Sequence, residues 1–324
     1  MNNAGIHARL VIVAAIWGLG WPAGRVVAAD VEPITAAWIR YVMVVALFLA
    51  FLRWTNQWTL PSKRQWKQVG WIGFYSTFMY QVLFMNGMGY TAAGDASLMI
   101  TFNPLFTAFL AVFLLDERMS WRLLLGLALA FAGVAVLFLA SPNTDIPTLD
   151  RWIGNAFIAG AALAWATSTI IMKRVMTDVP EDAKEPLSPL HLTVWSSVIG
   201  LAILTPWAGV ESLNAGWSNP STNAWVGIVF LAVFSTVLSY VWFADGIKVI
   251  GAGPAAFYVY LVPPFGILGG WLLLGERLGA SLLVSFALIV GGVVLAQSKQ
   301  KGACLLYTSP SPRDVEESRM PSSA

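Results

Sequence analysis

The chain has 324 residues, of which 57% are hydrophobic and only 11% charged, and its formal net charge is +2. Its mean hydropathy is +0.69, whereas soluble domains are about 45–50% apolar and 25% charged. This composition excludes an ordinary soluble protein and predicts an integral membrane protein. The basic residues are scattered through the loops rather than gathered on one face, so we expect no nucleic-acid partner.

Long apolar stretches follow one another along the chain. Each has about 17–25 residues with few charges, which is enough for a helix to cross a hydrocarbon layer about 30 Å thick. A β-barrel would instead show short strands of alternating hydrophobicity. We therefore predict an all-α integral membrane protein with ten transmembrane helices, numbered 1 to 10, at residues 8–29, 34–53, 68–90, 94–115, 120–140, 152–174, 190–208, 223–247, 254–275 and 279–297.

The second half of the chain repeats the first. A shift of about 159 residues pairs Ser76-Thr77 with Ser235-Thr236 and Pro104 with Pro263, as is typical of secondary transporters. Because each unit has an odd number of helices, the second copy enters the membrane from the opposite side. The sequence thus predicts two inverted five-helix repeats, followed by a polar tail, at residues 8–140, 152–298 and 299–324 respectively.

The tail is rich in Ser and Pro and has no counterpart in the first repeat. It reads "GACLLYTSPSPRDVEESRMPSSA" and is similar to translated sequencing-adapter read-through, so we predict that it is not native. It contains the only cysteine, Cys304, and we assign no function to this residue.

Loop charges predict the orientation of the chain, because cytoplasmic loops carry an excess of Lys and Arg. With the N-terminus in the cytoplasm, most basic residues lie inside and only Arg25, Arg40, Arg151 and Arg277 lie outside. Both termini are then cytoplasmic. Glu117-Arg118 and Glu276-Arg277 fall on opposite sides, where each pair either forms a helix corner, with Glu near the N-terminus of the following helix, or acts as a gating ion pair.

Several stretches carry a family resemblance. "AIWGLGWPAGRVV", "NGMGYTAAGDASLMITFNPLFTAFLAVFLLDERMS" and "GIKVIGAGPAAFYVYLVPPFGILGGWLLLGERLGASLLVSFALIVGGVVL" resemble the EamA-type domain of the drug/metabolite transporter superfamily, over roughly residues 8–298. The resemblance implies a ten-helix transporter of the bacterial inner membrane that exports amino acids or related small metabolites by alternating access through a central cavity. Its expected partners are a small-molecule substrate and the lipid bilayer.

Other classes of function remain as alternatives to an amino-acid transporter. The sequence contains no HExxH motif, no Walker loop and no cysteine–histidine cluster, so we predict no catalytic residue, no metal and no cofactor. A channel would need a polar pore lining that these apolar helices hardly supply. The alternatives are a transporter of another metabolite or drug class and, less favoured, a channel or a membrane enzyme.

Polar-tipped aromatic and amide side chains are the candidate substrate ligands. Lipid offers such groups no partner near the middle of the membrane, so they should face a cavity or the bundle interior, where they could also serve only for packing. Rings can stack on cargo while hydroxyl and amide groups orient its polar end. The candidates are Trp17, Trp21, Tyr80, Gln81, Asn103, Trp165, Tyr240, Tyr258 and Tyr260.

Charged residues inside a membrane are costly and usually functional. Arg25, Asp95 and Asp245 fall near predicted helix ends, where we expect them at the membrane surface. Arg40 is the best exception, because it matches the arginine in the second helix of the resembled family and could hold a carboxylate with two hydrogen bonds. We therefore add Arg40 to the candidate ligands.

Prolines and small residues are the candidates for motion and close packing. Pro22, Pro104, Pro263 and Pro264 interrupt helical runs, and we expect helices 4 and 9 to bend as gates at the symmetry-related Pro104 and Pro263. Small residues are spaced for close helix contact, or alternatively for the surface of a homodimer. They are Gly266 and Gly270, Ala128 and Ala132, and Ala287 and Gly291.

Overall fold

A computed structural model describes residues 3–115, 119–177, 187–217 and 219–297. In the first repeat, helix 1 spans Asn3–Ala28, helix 2 Pro33–Trp54 and helix 5 Trp121–Ala140. Helix 3 consists of Lys63–Gly73, the π-helical segment Phe74–Met79 and Tyr80–Tyr90. Helix 4 consists of Ala93–Met99, the 3-10 segment Ile100–Phe102 and Asn103–Leu114.

The second repeat has the same construction. Helix 6 spans Thr148–Thr177, helix 7 Pro189–Ala215 and helix 10 Ala280–Gln297. Helix 8 consists of Thr222–Val229, the π-helical segment Phe230–Leu238 and Ser239–Ile250. Helix 9 consists of Ala252–Phe257, the 3-10 segment Tyr258–Leu261 and Val262–Leu274. The predicted all-α fold of two inverted five-helix repeats is confirmed.

Helix 3 is the least apolar of the ten. Within the described ranges, nine helices are long and apolar enough to cross a membrane, and helix 3 is not among them. It carries Ser76, Thr77, Gln81 and Asn86 within its length, and these polar residues lower its hydropathy. It also starts five residues before the predicted span, because Ser62 and Gln65 form a capping box in front of Lys63.

The repeat extends to departures from regular helix. Helices 3 and 8 each contain a π-helical segment, and helices 4 and 9 each contain a 3-10 segment, at equivalent positions. Ser62 and Ser221 cap helices 3 and 8, again at equivalent positions. Both copies of the repeat therefore encode the same irregular backbone.

Contacts between the repeats fix the inverted arrangement. Helix 1 ends near the start of helix 8, where Asp30 accepts a hydrogen bond from the backbone of Ser221, and Glu211 at the end of helix 7 contacts the start of helix 2. We call this the distal end of the bundle. At the opposite, proximal end, His7 of helix 1 contacts Tyr258 of helix 9.

Helices 5 and 10 pack through glycines. A Cβ atom on Gly126 would lie 2.4 Å from the carbonyl oxygen of Gly292, and one on Gly292 would lie 2.4 Å from that of Gly126. The predicted pairs Ala128 and Ala132, and Ala287 and Gly291, instead lie on the exposed faces of these helices. By contrast, Gly266 packs closely on Ser97 of helix 4.

Candidate functional site

Aromatic rings from both repeats meet between the two halves of the protein. Trp165 of helix 6 lies 5.3 Å from Tyr80 of helix 3 and 6.0 Å from Tyr240 of helix 8, measured between ring centroids. Trp17 of helix 1 lies 6.1 Å from Tyr240. We call Trp17, Tyr80, Trp165 and Tyr240 the central aromatic cluster. All four were predicted ligands, and the structure brings them together.

The two symmetry-related tryptophans differ in their polar contacts. The Trp17 indole donates a 2.9 Å hydrogen bond to the carbonyl oxygen of Ser235. The Trp165 indole nitrogen and the hydroxyls of Tyr80 and Tyr240 make no hydrogen bond within the described part of the chain. Since these three polar tips have no partner among the described residues, their geometry suits contact with a ligand.

Arg40 lies beside this cluster and is buried, with 8% of its surface exposed. Its guanidinium donates hydrogen bonds of 3.0 Å to Gln81 and 2.8 Å to Thr236. Gln81 in turn donates a 3.2 Å hydrogen bond to the hydroxyl of Tyr41. The Arg40 Nε atom is buried without a hydrogen-bond partner among the described residues. The arginine is thus held in place while one of its donors stays unused.

The π-helical segments place the partners of Arg40. Thr236 donates to the carbonyl oxygen of Leu231, and Ser239 donates to that of Phe234, both five residues earlier. A π-helical turn is rare and often marks a functional site. Sequence reasoning missed Thr236 and Tyr41 as site residues, although the repeated Ser-Thr pair was a visible signal.

Trp21 extends the cluster towards helix 9. Its ring is 5% exposed and lies 5.3 Å from Phe84, which stacks on Tyr80 at 6.0 Å. A Cβ atom on Gly266 would come within 3.3 Å of the Trp21 ring. Trp21 therefore connects the aromatic cluster to the helix 1–helix 9 contact.

The other predicted ligands lie apart. Asn103 lines a small cavity of about 80 Å³ between helices 4 and 9, together with Pro104 and Tyr260. The Tyr260 hydroxyl donates a 2.8 Å hydrogen bond to Gln297 at the end of helix 10. The Tyr258 hydroxyl lies 2.5 Å from a ring nitrogen of His7. Tyr258 and Tyr260 thus belong to the proximal end rather than to the central aromatic cluster.

The four candidate hinge prolines lie within the predicted helices but in two different backbone environments. Pro104 and Pro263 lie in the first turn of the helical segments that follow the 3-10 segments, and Pro264 comes next to Pro263. Pro22 lies inside the continuous helix 1 and packs near Gly269. The regular α-helical pattern is therefore interrupted just before Pro104 and Pro263 and not at Pro22.

A larger cavity opens at the distal end. It has a volume of about 490 Å³ and is lined by Glu32, Asn86, Tyr90 and Glu211 together with apolar residues. Both oxygens of Glu211 accept hydrogen bonds from the first amides of helix 2, and Thr35 Oγ1 donates a further one. The cavity thus lies between the ends of helices 1, 2, 3 and 7.

Glu276 joins the repeats at the distal end. Its carboxylate accepts hydrogen bonds of 2.6 and 2.9 Å from the backbone amides of Ala93 and Gly94 at the start of helix 4. Burial raises the pKa of the Glu276 carboxyl, although the two amides and the positive charge of Arg25 oppose this shift. Glu276 thus caps helix 4 of the other repeat, a tertiary contact that the sequence alone does not predict. Arg277 pairs with Asp145 at 2.8 Å, and Glu117-Arg118 lies outside the described residues.

Asp95 also departs from expectation. It was predicted at the membrane surface, yet its side chain is fully buried in the first turn of helix 4. Asn143 donates a 3.2 Å hydrogen bond to one carboxylate oxygen, and Arg151 Nε lies 3.9 Å from the other. The turn after helix 5 and the start of helix 6 cover the residue, a tertiary contact that local hydropathy does not reveal. Asp245, by contrast, is partly exposed beside Lys248.

The ten-helix inverted repeat with polar groups between its halves is the architecture of a multi-pass membrane transporter. The EamA-like transporter family matches residues 7–139 and 152–297. The chain belongs to this family, which confirms the resemblance seen in the sequence. Its partners are therefore a small-molecule substrate and membrane lipid.

Curated relatives match the chain over nearly its whole length. An "Uncharacterized transporter YyaM" of Bacillus subtilis (strain 168) is 27% identical over 91% of this chain and 96% of its own. A "Probable terminal-alkyne amino-acid exporter" of Streptantibioticus cattleyicolor is 25% identical, with coverages of 90% and 93%. A "Probable amino-acid metabolite efflux pump" of Salmonella typhimurium (strain LT2) is 27% identical, also with coverages of 90% and 93%.

The fold has a counterpart among solved structures. One protein crystal structure superposes with a TM-score of 0.59 at 18% sequence identity, over 91% of this chain and 98% of the other. At this identity the likeness concerns the fold alone.

Proposed function

We propose that the protein is a secondary transporter of the bacterial inner membrane that exports amino acids or related small metabolites through a cavity at the central aromatic cluster. The observation that carries the proposal is that the Nε atom of the buried Arg40 and the polar tips of Tyr80, Trp165 and Tyr240 all lack a hydrogen-bond partner among the described residues. A guanidinium with an unused donor suits the carboxylate of an amino acid.

The aromatic rings suit the rest of such a cargo. Ring faces attract both apolar side chains and an ammonium group, the latter through a cation–π interaction. The names of two relatives, which refer to amino acids or amino-acid metabolites, support this cargo class. In this proposal Trp21 and Gln81 support the site, and Asn103, Tyr258 and Tyr260 lie outside it.

Access to the site alternates between the two ends. The excess of basic loop residues at the proximal end supports a cytoplasmic location of that end and of both termini. The distal cavity of about 490 Å³ is then the external opening. Pro104 and Pro263 act as hinges at the two 3-10 segments, with Pro264 extending the second, whereas helix 1 continues through Pro22.

The test is uptake of labelled tryptophan, phenylalanine, threonine and cysteine into proteoliposomes that contain the purified protein, with and without an imposed proton gradient. Trp165→Ala should abolish saturable uptake of the transported amino acid. The matched control is Trp271→Ala, since Trp271 also lies in a membrane helix but is 46% exposed. If folded wild-type protein takes up none of the four, the amino-acid assignment fails. If Trp165→Ala and Trp271→Ala behave alike while the wild type transports, the placement of the cargo site at the central aromatic cluster fails.

A further inference from the structure

A second group of buried polar residues lies at the distal end, away from the proposed cargo site. We call Thr91, Asp95, Asn143, Arg151 and Asn155 the distal polar cluster; all five are buried. Thr91 donates a 2.7 Å hydrogen bond to Asn155, and Arg151 Nε lies 3.9 Å from Asp95. Because Arg151 and Asn155 are one helical turn apart, these two contacts join the end of helix 3 and the start of helix 4 to one face of helix 6.

Three atoms of this cluster have no hydrogen-bond partner among the described residues. They are Asp95 Oδ2, Arg151 Nε and Asn155 Nδ2. The distance of 3.9 Å between Asp95 and Arg151 is too long for a hydrogen bond. An ionised carboxylate in a buried site is costly unless it is both paired and hydrogen-bonded. Only Oδ1 of Asp95 accepts a hydrogen bond, and Oδ2 accepts none from the described residues. The charged form of Asp95 is therefore incompletely stabilised.

The charges around Asp95 come from several elements. Helix 6 contributes Arg151, and the connection after helix 9 contributes the carboxylate of Glu276, which in turn interacts with Arg25 of helix 1. Asn143 and Ser141 are the neutral partners from the turn after helix 5. The segments Val262–Leu274 and Ala280–Gln297, which also pack here, contain no titratable residue. Asp95 thus faces one cation and one further acid.

The position of Asp95 links its charge to the distal end. Asn143 contacts Asp95 through its amide nitrogen, accepts a 2.9 Å hydrogen bond from the Arg277 amide and receives a 2.9 Å hydrogen bond from Arg151 on its carbonyl oxygen. Four elements therefore meet around the carboxylate: helix 4, helix 6, the turn after helix 5 and the connection between helices 9 and 10. Loss of the negative charge would remove the attraction that holds Arg151 against helix 4.

We propose that Asp95 is a proton-binding site, and that a proton taken up from the distal side releases helix 4 from helix 6 and so favours opening of the distal end. The only bond that forms is O–H on Asp95 Oδ2, and the proton returns to the same side when the end closes. Proton binding does not depend on the cargo, whereas the effect on opening rests on the proposed function.

Proton binding is tested without cargo by infrared difference spectroscopy of the purified protein between neutral and acid pH. At acid pH the wild type should show the C=O band of protonated carboxyl groups. One component of this band should be absent in Asp95→Asn. The same component should be present in the controls Glu276→Gln and Asp245→Asn. In Arg151→Gln this component should appear at a higher pH than in the wild type, because the neighbouring cation is lost. Asp95→Glu keeps a carboxyl group and covers the case in which Asp95→Asn does not fold. An unchanged band in folded Asp95→Asn, or an unmoved component in Arg151→Gln, overturns the proposal.

The effect on opening is tested in proteoliposomes loaded with whichever of the four labelled amino acids the wild type transports, with the pH changed only on the side of the distal end. That side is identified by a membrane-impermeant maleimide on Leu278→Cys in a Cys304→Ser background, since Leu278 is exposed between helices 9 and 10. Wild-type efflux should accelerate at acid distal pH, and Asp95→Asn should be fast at both pH values. If the rate of wild-type efflux does not depend on the pH at the distal side, the proposed effect of Asp95 protonation on opening is refuted. Wild-type protein that moves no cargo at all overturns the proposed function, while the infrared result still decides the proton site.

Discussion

Arg40 of the first repeat donates a hydrogen bond of 2.8 Å to Thr236 of the second repeat. The same guanidinium bonds Gln81 of helix 3, so a single side chain connects helices 2, 3 and 8 at the proposed cargo site. Burying an arginine inside the membrane is energetically costly, and such residues are usually functional. In the proposed function this one charge therefore has two roles, which are to position the helices and to bind the cargo.

Arg40→Gln should lower transport efficiency, kcat/KM, by about tenfold to a hundredfold, because hydrogen bonds to charged groups are each worth about 1.5–3 kcal/mol. Thr236→Val should cost less, since it removes a single neutral partner and keeps the charge. Efficiencies are measured with the labelled amino acid that the wild type transports. Equal efficiencies for Arg40→Gln and the wild type would refute a role of the guanidinium in binding the cargo.

Replacement of the two symmetry-related tryptophans, Trp17 and Trp165, by Phe should affect different properties, stability in the first case and cargo affinity in the second. Trp17→Phe removes the hydrogen bond to Ser235 and should lower the free energy of unfolding by about 0.5–1.5 kcal/mol. Trp165→Phe removes no hydrogen bond to a described residue, so it should leave the thermal midpoint unchanged while weakening the apparent affinity for cargo. Thermal unfolding in detergent and uptake kinetics separate the two effects. A destabilised Trp165→Phe variant would contradict the assignment of its indole to the cargo.

Much of this arrangement follows from the sequence, and some of it does not. Long apolar runs and the 159-residue repetition predict the ten helices because hydropathy and duplication are local properties of the chain. The pairing of Arg40 with Thr236 and the burial of Asp95 depend on which helices become neighbours. The irregular segments are equally hidden, since a Ser-Thr pair is compatible with α-helix as well as π-helix. Asp95 shows the limit most clearly, because the turn that covers it lies 48 residues further along the chain.

Two adjacent glycines of helix 10 provide a matched test of the packing. Gly292→Ala would place a Cβ atom 2.4 Å from the backbone oxygen of Gly126, and we expect a destabilisation of about 1–3 kcal/mol. Gly291→Ala meets nothing within 4 Å and should be neutral or stabilising by up to about 1 kcal/mol. Thermal midpoints in detergent measure both changes. Equal midpoints for the two variants would mean that helices 5 and 10 do not pack as described.

The Glu276 contact predicts a dependence of stability on pH. Because burial raises the pKa of Glu276 in the folded state, the folded protein binds this proton more tightly than the unfolded chain does. The resulting stabilisation is fully present at acid pH and is lost as the pH rises through the raised pKa. The stability of the wild type relative to Glu276→Gln should therefore decrease from acid to neutral pH. Thermal unfolding at a series of pH values measures it, with the exposed Glu32→Gln as the control, and a difference that grows with pH would contradict the direction.

The symmetry-related prolines should matter for movement rather than for cargo binding. Pro104→Ala and the double substitution Pro263→Ala/Pro264→Ala restore the backbone donors just after the 3-10 segments, which allows a regular helix to continue and should stiffen helices 4 and 9. We expect slower transport with little change in the equilibrium affinity for cargo. Pro206→Ala is the matched control, because Pro206 lies in the continuous helix 7 and is exposed. Binding is measured by equilibrium titration of the purified protein and transport by uptake. If Pro104→Ala and Pro263→Ala/Pro264→Ala transport as fast as Pro206→Ala, the bends at the 3-10 segments are static and the gates lie elsewhere.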